Sequence, residues 1–398
     1  MTSFAEKIAW YRAENYIAQY KPYGIAVAGT YGRYIASEAI FHALKSHRHV
    51  RKGDAVEHSI DIPDGILGAK KHSKHKGIMR FLMREKMKEL TQFEPDTIIT
   101  QLPLLRPTLA PWAVSRILPR MLVFTHIGLE HVDLFVSKET IAHEYLALAN
   151  SLPKDAVVVL NMDDELLRTL IENINHSVIT CGVHPKSDIR ISRAVRNKDT
   201  NGLFLEIAVH GTQEEVFLPS LFAKQHVSAV AAAIATAHGM GVSVKDAIHG
   251  LRAIKPARGN LSRIPGINGS TIIDDSHDTC PEQLESSLKS FATLQGSGRK
   301  IIILGDMDNL ASLGISCHEA VGTQASSIVS MIVFVGDMMR HGQDGALKSG
   351  NKVDTHHFET SSEAANWLPE YIREGDMVFV SGGKSMKMGK VVKRLLGK

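Results

Sequence analysis

The residues of this chain that could bind a phosphate lie in the stretch AVAGTYGRYIAS, residues 26–37. A short apolar run, GIAVAG at 24–29, leads into two closely spaced glycines, Gly29 and Gly32, with Thr30 between them. Glycines at this spacing let backbone N–H groups approach a phosphate, and a helix that follows adds its own N-terminal N–H groups. The pattern therefore indicates a phosphate-binding loop between a strand and a helix.

Two positions of this loop depart from a working nucleotide site. A P-loop places a lysine on the terminal phosphates and a serine or threonine hydroxyl on Mg²⁺. This chain has Arg33 and Tyr34 there. Arginine keeps the positive charge in a larger planar group, whereas a tyrosine hydroxyl does not reach a metal as a threonine hydroxyl does. The loop alone leaves two interpretations open, a phosphate site and an inherited turn.

The elements that must position this loop alternate between β-branched strands and helices, which is typical of a parallel α/β sheet. The strand-like runs are residues 24–29, 96–101, 121–126, 156–161, 176–181, 270–275, 300–306, 330–337 and 376–382. Residues 203–219 differ, because two strand patterns flank Gly211 and predict a hairpin. The alanine-rich residues 223–241 predict a buried helix that ends on glycine.

A domain boundary is indicated near residue 258. Residues 255–270, KPARGNLSRIPGINGS, concentrate proline and glycine and are typical of a linker. The length of 398 residues suits two to three domains of ordinary size. We predict an α/β protein with a P-loop-type parallel sheet in residues 1–258 and a smaller Rossmann-like α/β domain in residues 259–398.

The composition is typical of a globular protein. Hydrophobic residues make up 44% of the chain, and its apolar runs are too short to span a membrane. The three cysteines are far apart and show no CxxC spacing, so reduced thiols and a cytoplasmic location are expected. The N-terminal residues predict an amphipathic helix rather than a signal peptide. The net charge of +4 does not indicate nucleic acid as a partner.

One segment, residues 68–90, is strongly basic. Its cations are Lys70, Lys71, Lys74, Lys76, Arg80, Arg84, Lys86 and Lys88. A solvated loop followed by a basic helix face is one interpretation, and contact with a polyanion or an acidic substrate is the other.

Several motifs resemble, in the same order, those of the Mur ligase family. Residues 29–40, GTYGRYIASEAI, match its first loop and helix, G-[ST]-x-G-K-T-[ST]-T-K-E-A-I, in frame. THIGLEHVDLFVS at 125–137 is similar to N-I-G-x-D-H-L-D-x-x-x-S, and GINGSTIIDDSHDTCP at 266–281 to G-I-N-G-x-x-x-I-D-D-x-Y-N-A-N-P. ILGDM at 303–307 and GDMVFVSGGKSMKMGKVVKRL at 375–395 match its later strands. The resemblance is greatest to the branch that adds D-alanyl-D-alanine to the peptidoglycan precursor peptide.

The resemblance implies an architecture and a chemistry. Only about two dozen residues precede the first strand. The resemblance therefore implies the middle and C-terminal domains of the family, without the domain that binds the uridine-nucleotide sugar. In the family, ATP activates a carboxylate as an acyl phosphate, Mg²⁺ neutralises the phosphates, and an amine attacks. ATP and Mg²⁺ are therefore the implied cofactors.

The family's functional positions can be carried over residue by residue. The implied cofactor-binding residues are Gly29, Thr30, Gly32, Arg33, Tyr34, His226, Asp275, His277 and Asp278. A metal-binding glutamate falls on Gln101, a poorer ligand for a hard cation, and a carbamylated lysine falls near Tyr145. His131 is retained from the family motif as the catalytic and metal-binding candidate, with a structural histidine as the alternative.

Two further groups of residues are candidates at strand ends. Lys384 and Lys387 follow the last strand, at the end of an open α/β sheet where ligands bind. They are the substrate-binding candidates, and contact with solvent alone is the alternative. Asp274 and Asp275 end a strand, where aspartate often caps a turn or the next helix.

The motifs keep their order and spacing, but many of the functional positions carry other residues than the family has. This pattern predicts an eroded ATP and Mg²⁺ site. The expected protein is a pseudo-ligase that binds a nucleotide, a wall-precursor peptide or a partner protein. An active ATP-dependent carboxylate–amine ligase with altered metal use is the alternative. A polyanion-binding protein that uses residues 68–90 is a third hypothesis, and the sequence leaves the oligomeric state open.

Overall fold

The computed structural model describes residues 4–68, 95–129, 131–277 and 279–397. The strands are β1 (Tyr23–Ala28), β2 (Val50–Lys52), β3 (Thr97–Leu102), β4 (Met121–Phe124), β5 (Val157–Asn161), β6 (Ser177–Gly182), β7 (Ile189–Arg196), β8 (Leu203–Val209), β9 (Thr212–Leu218), β10 (Ser262–Pro265), β11 (Thr271–Asp275), β12 (Lys300–Gly305), β13 (Met331–Val335), β14 (Asp354–Phe358) and β15 (Met377–Ser381).

Helices connect most of these strands. They are α1 (Phe4–Tyr20), α2 (Arg33–Leu44), α3 (Asp61–Ile66), α4 (Leu109–Ile117), α5 (Val132–Phe135), α6 (Lys138–Asn150), α7 (Glu165–Leu170), α8 (Lys224–Gly239), α9 (Val244–Leu251), α10 (Pro281–Ala292), α11 (Gly314–Ser326), α12 (Met339–Lys348), α13 (Ser361–Trp367) and α14 (Gly389–Leu395). Within the described residues no helix is both long and apolar enough to cross a membrane.

The first sheet contains β1 to β9 in the order β2-β3-β1-β4-β5-β6-β7-β8-β9. Its strands are parallel from β2 to β7, and β8 and β9 add an antiparallel hairpin. The predicted hairpin is confirmed, with its turn at Gly211. Apolar clusters cover both faces of this sheet, as a parallel sheet requires.

The second sheet has the order β10-β11-β15-β12-β13-β14 and is parallel except for β10. The predicted linker is wrong in part, because Ser262–Pro265 forms β10, antiparallel to β11. β10 lies at the sheet edge, where a proline costs little because the outward side of the strand needs no N–H donor. The proposed boundary at residue 258 falls in the connection between α9 and β10 and stays a prediction.

The predicted α/β class is confirmed, and most predicted strands form. The predictions missed β2, β7 and β14, which are short or carry polar residues at many positions. The N-terminal helix and the buried alanine-rich helix α8 form where the pattern placed them. Segment 68–90, with its basic residues, lies outside the described residues except for Gly68.

The alanine-rich α8 packs beside α2, the helix that follows the phosphate-binding loop. α9 also packs closely on α2, because an added Cβ at Gly250 of α9 would overlap the carbonyl oxygen of His42 in α2. α2 is therefore packed against two helices, with its N-terminus at the carboxyl end of β1. The same edge faces the carboxyl ends of the second sheet's strands.

Candidate functional site

A cavity of about 540 Å³ lies where the carboxyl ends of the two sheets face each other. The first sheet contributes the loops after β1, β2, β3 and β4 and the N-terminus of α8. The second sheet contributes the segments after β11, β12 and β15. This is the edge at which open α/β sheets bind ligands.

The cavity brings together most of the predicted site residues. Those that line it are Thr30, Gly32, Arg33, Tyr34, Gln101, His131, His226, Asp275, His277 and Lys384. Gly29 lies behind the lining at the end of β1, and Lys387 lines a neighbouring groove instead. Asp278 lies outside the described residues.

The phosphate-binding loop has the backbone that its glycines predict. Gly29 and Gly32 have φ of 141° and 80°, values that side chains disfavour. The Thr30 N–H donates to the carbonyl oxygen of His126 at 2.7 Å, and Thr125 Oγ1 donates to the Tyr31 carbonyl oxygen at 2.6 Å. The end of β4 therefore pins the loop in place.

Arg33 serves the loop itself. Its Nη1 donates to the carbonyl oxygens of Gly29 and Thr30, the latter at 2.5 Å. Charge-assisted hydrogen bonds of this kind are stronger than neutral ones. The guanidinium therefore stabilises the turn from within.

Tyr34 is also engaged inside the chain. The Lys52 ammonium lies 4.8 Å from its ring centroid, and Lys52 forms an ion pair with Glu38. Burial of Glu38 opposes its ionisation, but hydrogen bonds from His42 and Lys52 outweigh that effect and lower its pKa. The residue at the implied magnesium position thus takes part in a cation–π contact.

A buried polar group that the sequence analysis missed supports the loop. The rings of Tyr31 and His126 stack with centroids 4.6 Å apart and planes 2° apart. His126 Nδ1 lies 3.8 Å from Asp164 Oδ2, and Asn161 Nδ2 donates to the Thr125 carbonyl oxygen at 2.7 Å. Burial raises the pKa of Tyr31 above its ordinary range, so its hydroxyl stays protonated. The only signal in the sequence was a histidine where the family motif has asparagine.

The implied metal positions do not supply the ligands of Mg²⁺. Gln101, at the end of β3, is 5% exposed, and in the described part of the chain its Nε2 has no hydrogen-bond partner. His131 lines the cavity from a left-handed backbone conformation, φ 54°. Tyr145, near which the family's carbamylated lysine falls, is fully buried against Phe124 and does not line the cavity. Among the described residues no group of three or more His, Cys, Asp or Glu could hold a metal. Mg²⁺ prefers carboxylate oxygens, and neither Gln101 nor His131 offers one.

The N-terminus of α8 presents two neutral side chains to the cavity. His226 Nδ1 accepts from the Phe222 and Ala223 N–H groups at 3.0 and 3.3 Å, so its proton is on Nε2. Burial lowers the pKa of His226 to about 3, and the ring stays neutral. Nε2 has no partner. His226 thus offers a fixed donor, and Gln225, whose Oε1 is also unpartnered, offers an acceptor.

Asp275 forms the opposite wall. Gln225 Nε2 donates to Ser287 Oγ at 3.0 Å, and Ser287 Oγ donates to Asp275 Oδ2 at 2.9 Å. Burial raises the pKa of Asp275 to about 7, although the bond from Ser287 opposes the shift. The turn-capping role falls to Asp274, which accepts from Ser276 N and Oγ; Asp275 instead contacts side chains of α10.

The lysine after the last strand joins the two sheets. Lys384 Nζ forms an ion pair with Glu57 at 2.9 Å, and His277 Nε2 lies 4.0 Å from the same carboxylate. Glu57 follows β2 of the first sheet, whereas Lys384 and His277 follow β15 and β11 of the second. These contacts close one side of the cavity.

The class of protein is defined by two sheets of mainly parallel strands, a glycine loop after β1, and a cleft between the two sheets. Residues 111–237 match the Mur ligase middle domain, and residues 261–383 match the glutamate ligase domain of Mur ligases. Together these matches cover more than half of the chain. The chain belongs to the Mur ligase family, whose members bind ATP and Mg²⁺.

The chain is similar to particular ligases of this family. It is 26% identical over 279 residues to the UDP-N-acetylmuramoyl-tripeptide–D-alanyl-D-alanine ligase of Bacillus subtilis, which covers 70% of this chain and 59% of the relative. The same enzyme of Escherichia coli is 22% identical over 296 residues and covers 71% and 62%. The chain thus spans about three fifths of these relatives.

Solved structures show the same fold. MurF from Acinetobacter baumannii has a TM-score of 0.81 at 18% identity, covering 99% of this chain and 80% of that one. The MurF ligase from Thermotoga maritima, in complex with ADP, has a TM-score of 0.81 at 16% identity, covering 100% and 84%.

Proposed function

We propose that this chain binds a nucleotide in its cleft without a divalent cation and does not catalyse ATP-dependent ligation. The observation that carries the proposal is the set of side chains at the phosphate and metal positions. Arg33 and Tyr34 have partners inside the chain, and Gln101 offers an amide in place of a carboxylate. Transfer of a phosphoryl group depends on neutralising its charge, and these residues provide little of that effect.

Three unpartnered polar atoms support ligand binding in the cavity. They are Gln101 Nε2, Gln225 Oε1 and His226 Nε2, each on a side chain more than nine-tenths buried. A buried polar atom without a partner costs about 1–3 kcal/mol, which a ligand would recover. The volume of about 540 Å³ also lies in the range of small-molecule sites.

The loop and α2 would hold the phosphates of such a ligand. The first N–H groups of α2 have no acceptor inside the helix, and the glycines keep the loop free of Cβ atoms at the turn. His226 Nε2 would donate to the ligand, and Gln225 Oε1 would accept from it. A role for His131 as a catalytic residue stays a prediction.

Calorimetric titration with ADP and ATP, in Mg²⁺ and in EDTA, tests the proposal. We expect saturable binding with dissociation constants equal within about twofold in the two buffers, and no ATP hydrolysis. At a hundredfold excess over the dissociation constant, the ligand should stabilise the fold by about 2.7 kcal/mol. Binding that requires Mg²⁺, with hydrolysis, would contradict the proposal.

A restoration variant tests the cause. Arg33→Lys with Tyr34→Thr and Gln101→Glu returns the family's residue types to the cavity, and we expect Mg²⁺ to strengthen its ATP binding at least tenfold. Tyr145 stays unchanged, because a lysine there would be buried against Phe124. No change in Mg²⁺ dependence would mean that these three positions are not the cause.

Gln101→Leu separates a ligand-binding role from a structural one. Because Nε2 has no partner within the described residues, its removal should raise the free energy of unfolding by about 1 kcal/mol without ligand. The same variant should bind ADP several-fold more weakly. A loss of stability without ligand would show that the amide is structural.

An active ligase with altered metal use is the second candidate. The observation that favours it is the kept loop backbone, with Gly29 and Gly32 both at positive φ. Release of inorganic phosphate from ATP, dependent on a wall-precursor peptide and a second amine, would support this candidate. A wall-precursor peptide or a partner protein that binds without turnover would instead extend the pseudo-ligase proposal.

A further inference from the structure

A second groove, of about 530 Å³, lies beside the cavity. We call it the basic groove and define it by its cations, Arg258, Lys384, Lys387 and Lys393. The cavity and the basic groove share three lining residues, Glu57, His277 and Lys384. The ion pair between Glu57 and Lys384 therefore separates two adjoining spaces.

The basic groove carries an excess of positive charge. Within the described part of the chain, Arg258, Lys387 and Lys393 are exposed and have no carboxylate within 4.0 Å. The lining also contains two acidic residues, Asp274 and Glu57, so its four cations outnumber its two anions. Asp274 accepts from Ser276 N at 3.2 Å and Oγ at 2.6 Å, and Glu57 is paired with Lys384. Three like charges around one groove attract anions of high charge.

The backbone of the basic groove is specialised. Lys387 has φ 52°, a left-handed conformation that is uncommon for a lysine and ends the 3-10 turn Lys384–Met386. Gly259 has φ 80°, and a Cβ there would lie 2.8 Å from His277 Cβ, so only glycine lets the chain pass close to the end of β11. The backbone conformations of Lys387 and Gly259 therefore place two cations, Lys387 and the adjacent Arg258, at the rim of the groove.

We propose that the basic groove binds a multiply charged anion, a phosphate chain or a polycarboxylate, at a subsite separate from the phosphate-binding loop. Arg258 would bind two oxygens of such an anion with its planar guanidinium, and Lys387 and Lys393 would act as point charges. Because the groove adjoins the cavity, one extended ligand can occupy both. The site does not depend on nucleotide binding at the loop.

Binding of tripolyphosphate and of citrate, measured by calorimetry at low ionic strength, tests this site. The test variant combines Arg258→Gln, Lys387→Gln and Lys393→Gln. The matched control combines Lys21→Gln, Lys154→Gln and Lys352→Gln, three exposed lysines that precede strands and so lie at the opposite edge of the sheets. Both triple variants lose the same net charge.

We expect wild type to bind at least one probe saturably and the groove variant to lose at least tenfold in affinity. The control and Arg33→Gln should each lose less than twofold, and salt should weaken binding to wild type. Binding of tripolyphosphate alone would identify the anion as phosphate, and binding of citrate alone as carboxylate. Retained melting temperatures would exclude misfolding of the variants.

Three results would overturn the inference. They are no saturable binding of either probe, equal losses in the groove and control variants, and a loss in Arg33→Gln with none in the groove variant. In the last case the anion binds at the loop, which leaves the proposed nucleotide function standing. Conversely, ADP titrations that show no binding to wild type would not affect the groove.

Glu57→Gln provides a gain of affinity. Removing this carboxylate frees Lys384 and deletes a negative charge from the rim. We expect the affinity for the anion that binds wild type to rise several-fold. Unchanged or weaker binding would contradict the place of Glu57 and Lys384 at this subsite.

Discussion

The phosphate-binding loop and the basic groove lie at the same edge of the molecule but use their positive charges differently. In the loop, Arg33 donates to the carbonyl oxygens of its own turn. In the groove, Arg258, Lys387 and Lys393 have no carboxylate partner among the described residues. A cation satisfied within the chain stabilises the fold, whereas an unpaired cation is available to a ligand. The kept frame of a nucleotide site therefore does not by itself show where anions bind.

The largest change in stability is expected from a substitution in the phosphate-binding loop. In Gly29→Ala the new Cβ would overlap Thr125 Oγ1 at a φ of 141°, so we expect the free energy of unfolding to fall by about 3 kcal/mol or more. Gly211→Ala is the control, because it has φ 83° with nothing near its Cβ and should cost about 1 kcal/mol. Urea denaturation measures both, and equal losses would mean that the contact with Thr125 is not what requires glycine.

The next effect comes from Asp275, in the wall of the cavity. Asp275 has a folded pKa of about 7 against an ordinary value of 3.8, so the folded state keeps a proton that the unfolded chain has lost between about pH 4 and 7. Stability due to Asp275 therefore falls as pH rises through this range, by up to about 1.4 kcal/mol per pH unit. The stability of Asp275→Asn, relative to wild type, should rise over the same range in denaturation at each pH.

His226→Gln tests a pH dependence of stability that has the opposite sign to that of Asp275. His226 has a folded pKa of about 3 against an ordinary 6.5, so below pH 6.5 the unfolded chain binds a proton that the folded state does not. Wild type should lose stability from this group as pH falls from about 6.5 to 3. The variant's stability relative to wild type should rise as pH falls. A flat difference for either variant would contradict its assigned pKa.

A smaller effect sharpens the comparison of the two arginines. Arg33→Gln removes charge-assisted bonds to two carbonyl oxygens and should lower the free energy of unfolding by about 1–2 kcal/mol. Arg258→Gln should change it by less than about 0.5 kcal/mol, because Arg258 is exposed and has no carboxylate partner among the described residues. Equal losses in urea denaturation would show that the two guanidinium groups contribute equally to folding stability.

The smallest effect concerns Tyr34. Tyr34→Phe keeps the ring beside the Lys52 ammonium and should leave stability unchanged within about 0.5 kcal/mol. Tyr34→Thr removes the ring and should cost about 0.5–1 kcal/mol. If Tyr34→Phe were the more costly change, the hydroxyl rather than the ring would be the stabilising group.

Local patterns were enough to predict much of the architecture. Buried strands such as β1 and β12 are continuous apolar runs, and the turn at Gly211 separates two alternating segments, so they are recognisable without tertiary information. β14, Asp354–Phe358, was not recognisable, because two histidines interrupt its pattern. Ser262–Pro265 looked like a linker, since its pairing with β11 is a long-range contact that proline and glycine content does not report.

The site was predictable in position more than in contacts. Motif order indicated that Gln101, His226 and Asp275 belong to one cleft, and they line one cavity. The burial of Tyr145 away from the cavity was not predictable, because a helical residue can face either the cleft or the core and only packing selects the face. The stacking of Tyr31 on His126 was missed, because it joins loops that are far apart in the chain.

The sequence by itself determined the alternation of strands and helices, the glycine turn after β1, and the residue types at each functional position. These depend on covalent chemistry and local backbone preferences. Only the tertiary structure decided which charges have partners. Arg33 donates to carbonyl oxygens of its own loop, Lys384 pairs with Glu57 across the cleft, and Arg258 has no carboxylate partner among the described residues. Electrostatic and hydrogen-bond partners depend on distances of a few ångströms between segments, and those distances exist only once the two sheets have packed together.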